Sequence, residues 1–252
     1  MRRMIDPERV ERHLRSLLKG EVKFDELTRT VYSTAACIYK IKPMGVVYPE
    51  DTEDLVKLME YAYDQGIPIT ARGAGTGLAG QTVNDGIIVD LSKHMNRVIQ
   101  IDPSEGYVLV QPGVVQDQLQ SVLKNVGKVF PPDPSSSAYS TLGGAIANNA
   151  SGARSVKYGS TKEYVLELEL VLSNGELIRT RPVPLESIPD RFPARPGSLE
   201  EDIYTFLKRL VTQNAELIER YRPRTKCSSG YNLFDLVRDG IFDPVSYTHL
   251  TL

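Results

Sequence analysis

The 252-residue chain has no tryptophan, two cysteines and three histidines. Cys37 and Cys227 lie far apart with no C-x-x-C, which removes the thiol sets that hold zinc or iron–sulfur clusters and leaves no disulfide framework. Both thiols read as ordinary residues of a reducing compartment. Charge of one sign is lacking as well: 30 Lys and Arg stand against 32 Asp and Glu, a net charge of -2. Without a basic field nothing draws in a polyanion, so nucleic acid is not expected as a partner. No segment reaches the ~18 apolar residues that a bilayer-spanning helix needs, and "MRRMIDPERV" has no apolar stretch behind its arginines. The expected location is cytoplasmic, peripheral to a membrane only through partners.

What is present alternates in type. Asp6-Pro7 followed by Val10, Leu14, Leu17 and Leu18, with Gly20 behind, predicts a capped amphipathic helix in an N-terminal arm. "GVVY", a helix over 51–63 with acids at its start and Gly66 at its stop, and "IPITA" predict a β-α-β unit. "GIIVDLS" reads as a further strand, and "RVIQID" and "YVLVQPG" as a hairpin. The spacing of Val115, Leu119, Val122, Leu123 and Val126 predicts a helix over 114–126. "YVLELELVL" and "ELIRT" flank Ser173-Asn174-Gly175, a hairpin whose Asn-Gly turn calls for positive φ. Pro182, Pro184, Pro189, Pro193 and Pro196 predict a stiff connector, and a last helix is expected over about 200–220. The sum is α+β with mixed sheets.

The stretch "ARGAGTGLAGQT", Ala71 to Thr82, carries the chemistry. Gly75, Gly77 and Gly80 spell G-x-G-x-x-G, but a turn and a strand follow where a dinucleotide fingerprint needs a helix N-terminus. Asp102 stands at the spacing of a ribose-binding acid, yet it adjoins Pro103 in a hairpin turn, and the spacing is read as chance. The stretch also approaches a P-loop, but Gln81 stands where the lysine should and supplies no cation. A third use of the same physics remains: glycines at 73, 75 and 77, free to take unusual backbone angles, turn successive N–H groups toward one anion such as a diphosphate. "TLGGAIANNASGARSVKYG" repeats the logic with Gly143 and Gly144 for close approach and Asn148, Asn149 and Ser151 as polar partners. Two such loops suggest one extended ligand held between two subdomains.

"YSTAACIYKIKPMGVVYPEDTEDL", "ITARGAGTGLAG", "IIVDLSKHMNRVIQID", "VQPGV", "FPPDPSSSAYSTLGGAIANNASGARSVKYGST" and "SSGYNLFDL", in this order, make the sequence resemble a known family. It is similar to the PCMH-type FAD-binding domain of the flavoproteins grouped with vanillyl-alcohol oxidase and p-cresol methylhydroxylase. Within that group it most resembles the bacterial D-2-hydroxyacid dehydrogenases, which include glycolate oxidase subunits and D-lactate and D-2-hydroxyglutarate dehydrogenases. The resemblance implies two α/β subdomains with FAD between them. Residues 1–40 form a helical lead-in and 41–245 the FAD-binding domain, divided at about 100 and about 181, with a connector and helix over 182–222 and an anomalous tail over 246–252. By resemblance Arg72, Gly73, Ala74, Gly75, Thr76 and Gly77 wrap the pyrophosphate. Asp133, Ser137, Thr141, Gly143, Gly144, Asn148, Asn149, Ala150, Ser151 and Gly152 line the adenosine and flavin side.

Relatives with covalently bound flavin place a histidine in the glycine segment, and this chain has Thr76 and none, so noncovalent FAD is expected. Ala35 and Cys37 replace polar residues of the family pattern. After "GYNLFDLVRDGIFDP" the family continues through a Gly-Ser-Glu-Gly-Thr segment into a substrate-binding cap, whereas this chain reads "VSYTHLTL", so a C-terminally truncated fragment is expected. The implied activity is hydride transfer from C2 of a 2-hydroxy acid to flavin N5. Electrons would pass to a quinone or protein acceptor, and any iron–sulfur cluster would belong to a missing region or a partner. The base and the carboxylate-binding cations would lie on the cap, so no catalytic residue is assigned here; His13, His94 and His249 are read as non-catalytic. Rival readings are a nucleotide-binding module without redox chemistry, a P-loop-like hydrolase, and another flavin reaction on the same fold.

Overall fold

The computed structural model describes residues 5–188, 197–223 and 232–245. Asp6 caps α1 (Pro7–Leu17) by accepting the Glu8 N–H. The chain continues through β1 (Glu21–Lys23), α2 (Glu26–Val31), β2 (Gly45–Tyr48), α3 (Thr52–Gln65), β3 (Ile69–Arg72) and β4 (Ile87–Asp90). Asp51 caps α3 and Gly66 ends it in the left-handed region at φ 65°, the start and stop that the acids and the glycine imply. These strands form one sheet in the order β1-β2-β4-β3, with β2, β4 and β3 parallel and β1 an antiparallel edge. Val46, Val47, Ile87 and Ile88 are fully buried, as the continuous apolar runs of parallel strands require. Val10, Leu14 and Leu18 share a core with Leu58 and Ile87, so α1 is built into this layer. The buried Asp54 carboxylate fastens it there, accepting the N–H groups of Lys19, Gly20 and Glu50 at 2.9, 2.8 and 3.0 Å.

A second core of Val114, Leu119, Leu123 and Leu142 lies under the hairpin of β5 (Val98–Asp102) and β6 (Tyr107–Val110). The chain continues through α4 (Gln116–Lys124), α5 (Leu142–Ala147), α6 (Ser155–Tyr158), β7 (Leu168–Val171) and β8 (Leu177–Thr180), and the β7–β8 hairpin packs on α3, with Gly175 against Glu60. The α4 helix starts later than its apolar spacing suggests because Val115 is extended and bridges Thr141. The β7–β8 hairpin turns on Gly175 at φ 87° while Asn174 keeps a negative φ. Bonds from Gly175 N to Leu172 O and from Leu172 N to Glu176 O make this a three-residue loop, not the two-residue Asn-Gly turn.

The third core gathers Ile188, Tyr204, Leu207, Leu236 and Phe242. Its elements are β9 (Val183–Pro184), α7 (Leu199–Gln213), α8 (Ala215–Arg220), β10 (Val237–Arg238) and β11 (Ile241–Phe242). The expected proline connector is in part a strand: Val183 and Pro184 pair with β11, on a sheet edge where a missing N–H is tolerated. Pro189, Pro193 and Pro196 lie outside the described residues. The single helix expected over 200–220 divides at Asn214, whose side-chain amide donates to Leu210 O and ends α7. Among the described residues no helix is long and apolar enough to cross a membrane.

Candidate functional site

The glycine stretch leaves the C-terminal end of β3, where Arg72 is the Cα partner of Asp90 on β4. In it Gly75 and Gly80 adopt left-handed angles, φ 70° and 85°. Gly73 and Gly77 do not, contrary to the sequence expectation, and they are glycines for space. A Cβ on Gly73 would overlap the Thr141 side chain, and one on Gly77 the Gln81 amide. Among the described residues no acceptor takes the N–H groups of Ala74, Gly75, Thr76 and Gly77. A run of unpaired donors around a left-handed glycine is an anion-binding concavity.

A segment that the glycine pattern does not reveal packs on this stretch. Ala36 N donates to Gly75 O at 3.0 Å, and the Tyr39 ring lies against Gly80. The Arg72 guanidinium sits 5.0 Å from the Tyr32 ring centroid and donates to Tyr32 O, Thr82 O and Thr34 O at 3.2, 3.3 and 2.8 Å. The Tyr32 hydroxyl in turn donates to buried Asp90 at 2.5 Å, and Asp90 also holds Ser92 N and Oγ. Burial, reinforced by the Asp90 carboxylate, pushes the Tyr32 phenol well above its ordinary pKa.

The second loop is built differently. Leu142 N and Gly143 N donate to Val114 O and Pro112 O, and Asn148, Asn149 and Ala150 N donate to Gly144 O, Ile146 O and Ala145 O. Asn149 is buried at φ 45°, and its Oδ1 accepts Lys162 N at 3.0 Å. The Thr161 hydroxyl donates to Ala150 O at 2.6 Å. Gly152 lies so close to the Asp133 carbonyl that a Cβ would overlap it, and Asp133 accepts Arg154 N and pairs with its Nε at 3.2 Å. The two loops touch where Thr141 meets Gly73 and where Gln81 Nε2 donates to Asn148 Oδ1 at 2.9 Å. Of the predicted residues, Gly73 and Thr141 meet at this junction and Asn148 reaches it through Gln81, but the set does not line one cavity. Asp133 and Ser137 border a space of about 370 Å³ with Gln116 and Arg154, while Asn149 borders one of about 220 Å³ with Lys162, Arg222 and Asp235.

Asp235 gathers Lys162 at 2.5 Å, Arg238 at 2.5 Å and Arg222 at 3.6 Å. Burial acts to raise its carboxyl, but the Lys162 and Arg238 hydrogen bonds outweigh burial and hold it at about 2. Sequence spacing gave no sign of this cluster. The histidines lie elsewhere: His13 stacks on Tyr61, His94 Nε2 is 3.2 Å from Glu21 Oε1, and His249 is outside the described residues.

A family model described as "FAD binding domain" matches residues 43–181. The chain belongs to that FAD-binding domain family. It is 39% identical over 234 residues to D-2-hydroxyglutarate dehydrogenase of Pseudomonas putida, covering 91% of this chain and 23% of the relative. It is 40% identical over 167 residues to glycolate oxidase subunit GlcD of Bacillus subtilis, covering 65% of this chain and 36% of that protein. Among solved structures, an alkyldihydroxyacetonephosphate synthase superposes with a TM-score of 0.63 at 26% identity, over 70% of this chain and 38% of its own. The chain thus spans between about a fifth and two fifths of the length of these proteins.

The residues of this FAD-binding domain fit a dinucleotide. The free N–H run over 74–77 suits a diphosphate. Three buried side-chain atoms without a partner among the described residues are Thr82 Oγ1, Ser140 Oγ and Gln116 Oε1. Thr82 ends the first loop, Ser140 opens the second, and Gln116 N donates to Ser140 O, so the unmet polar groups border both loops.

Proposed function

We propose that this chain holds FAD noncovalently between the two loops, as the cofactor-binding part of an oxidoreductase acting on a D-2-hydroxy acid. The observation that carries the reading is the unpaired N–H run from Ala74 to Gly77 beside left-handed Gly75. In this reading Gly73 to Gly77 face the diphosphate with backbone donors. Thr141, Gly143, Gly144 and Asn148 border the same ligand from α5, and Asp133, Ser137 and Asn149 to Gly152 shape its further wall. When bound, FAD supplies a hydride acceptor, and the chain supplies position and field. Gly73 makes room for the Thr141 side chain and Gly143 for Pro112, so the second loop packs closely at these two points.

The substrate class rests on the relatives, whose names span 2-hydroxyglutarate, glycolate and D-lactate. Their common chemistry is a hydroxyl beside a carboxylate. The base and the cations that would clamp that carboxylate are assigned to no residue described here, and the electron acceptor is a quinone or a protein partner. The absence of histidine from 72–82 supports noncovalent attachment.

The test is direct. Purified protein is loaded with FAD, desalted and read for flavin absorbance, then precipitated with acid. Stoichiometric flavin released into the supernatant is expected; a protein that retains none, or a coloured pellet, would overturn the cofactor reading or its noncovalent form respectively. Dye reduction with D-2-hydroxyglutarate, D-lactate and glycolate, measured on the FAD-loaded protein, tests the substrate class.

A further inference from the structure

We infer that Arg72 is a positioning residue that sets the cofactor loop from behind, through Tyr32 and Asp90, and not the cation that meets the diphosphate. The inference rests on the FAD reading for the loop's purpose, but its structural half stands on the chain alone. The guanidinium directs Nη1 to Tyr32 O and Thr82 O and Nη2 to Thr34 O. Its flat face covers the Tyr32 ring. A planar fork that serves carbonyls of separate segments while stacking on an aromatic is a use of arginine that lysine does not reproduce.

The consequence falls on Gly75. A Cβ there would lie 2.7 Å from Arg72 Nη2, so the left-handed turn of the loop is folded directly over the guanidinium. The bonds at Tyr32, Thr34 and Thr82 join the two ends of the junction, and Ala36 N then reaches Gly75 O. Tyr32 is anchored in turn, its hydroxyl on Asp90 and its ring edge-on to Tyr48 at 6.0 Å. Arg72 and Asp90 are Cα partners in the parallel β3–β4 pair, so the sheet register fixes both ends of this relay. Three of its five N–H donors serve carbonyls, and the remaining edge, at Nε, lies under Gly75, so the side chain is turned to the loop's own backbone. Its effect on FAD would act by keeping the N–H groups of 74–77 in one arrangement, which lowers the ordering cost of binding.

The experiment compares Arg72→Lys, Arg72→Gln and Tyr32→Phe with the parent chain. Amide hydrogen exchange is followed over 33–36 and 73–77 in cofactor-free protein, and FAD affinity is measured by flavin fluorescence at low and high salt. The expected result is at least tenfold faster exchange at Ala36 in both Arg72 variants. FAD binding should weaken at least tenfold and to a similar degree in Lys and Gln variants, with an unchanged salt dependence. Tyr32→Phe, which keeps the ring and loses only the Asp90 bond, should show a smaller shift of both kinds and remains informative if Arg72→Gln fails to fold. Parent-like affinity in Arg72→Lys with loss in Arg72→Gln would show that charge alone matters and overturn the inference, as would unaltered exchange in the cofactor-free variants. If the parent itself binds no FAD, the proposed function fails, while the exchange result still decides the role of Arg72.

Discussion

From Ala74 to Gly77 the backbone donors find no acceptor among the described residues, whereas those of Leu142, Gly143, Ala145, Asn148, Asn149 and Ala150 are all taken. Both segments are rich in glycine, yet they offer a ligand different things. The first presents its main chain and depends on an outside side chain, Arg72, to hold its shape. In the second most of the main-chain donors are taken, by Val114 O, Pro112 O and the loop's own carbonyls, and Lys162 and Thr161 brace it at Asn149 and Ala150. What remains for a ligand there is side chains and close approach. Glycine content therefore marks where backbones come near, and the hydrogen-bond accounting decides which of them can bind an anion.

Substitution at Gly75 breaks the first loop most severely. Gly75→Val forces a β-branched residue to φ 70° and sets its Cβ against Arg72. FAD affinity is expected to fall at least ~100-fold, about 3 kcal/mol in binding, as measured by fluorescence titration. Gly66→Val is the matched control, because Gly66 has φ 65° with open space around it and caps α3 ahead of β3, at the opposite end of that strand from the glycine stretch. It should lower the melting temperature by the cost of a strained cap, roughly 1 kcal/mol, and leave FAD affinity intact. Equal losses of affinity in the two variants would mean that Gly75 matters only as a turn.

The second loop should respond first in stability. Asn149→Ala removes the acceptor for Lys162 N and leaves a β-carbon at φ 45° without the amide that favours it. A loss of about 1–3 kcal/mol in urea unfolding is expected. Asn149→Gly, which relaxes the backbone and still lacks the acceptor, should recover part of it. No recovery would assign the whole effect to the lost hydrogen bond.

The brace behind that loop titrates. Asp235 is held at about 2 against an ordinary 3.8, so between these values the unfolded chain binds more protons than the folded one. Its stabilisation is complete above about pH 4 and is lost as pH falls toward 2, by at most about 2 kcal/mol given its partial exposure. Urea midpoints of the parent and Asp235→Asn, compared from pH 5 to pH 2, should converge at the acid end. Parallel curves would remove Asp235 from the account.

The sequence showed the two loops because glycine and asparagine announce tight backbone by type alone, and Gly75 and Asn149 take the left-handed angles that such residues permit. It showed the layers through apolar runs such as "GVVY" and "GIIVD", buried as parallel strands. It did not show that Gly73 and Gly77 serve packing, because the partners, Thr141 and the Gln81 side chain, are known only once the loops are folded together. The Arg72–Tyr32–Asp90 relay was hidden for the same reason: its members lie 40 and 58 positions apart and share no motif. Lys162 and Asp235, 73 positions apart, meet only when the third core closes on the second loop. The two-part helix over 199–220 escaped because a side-chain bond to the Leu210 carbonyl, and no glycine or proline, ends the first piece.

The smallest expected effect lies at the contact between the loops. Gln81 donates from Nε2 to Asn148 Oδ1 and accepts Ala79 N at 3.1 Å, so its amide ties the tip of the first loop to the end of α5. Both side chains are solvent-accessible, and an exposed hydrogen bond between neutral groups is worth only about 0.5–1.5 kcal/mol, with water ready to replace it. Gln81→Ala should therefore leave the unfolding midpoint within about 0.5 kcal/mol of the parent. Its effect on FAD distinguishes two ways of joining the loops. If Gln81–Asn148 merely rests across the junction, its removal uncovers Gly77, and affinity stays level or rises up to about threefold, within the range of one weak contact. If the bond is needed to hold the loops at the right separation, affinity falls, and Asn148→Ala falls with it in a non-additive double-mutant cycle. We expect the first outcome, because the Gly73–Thr141 packing already sets the separation and lies deeper, with Thr141 only 3% exposed. A coupled loss of tenfold or more in both single variants would show that the amide pair, and not the Gly73–Thr141 packing, sets the separation of the loops.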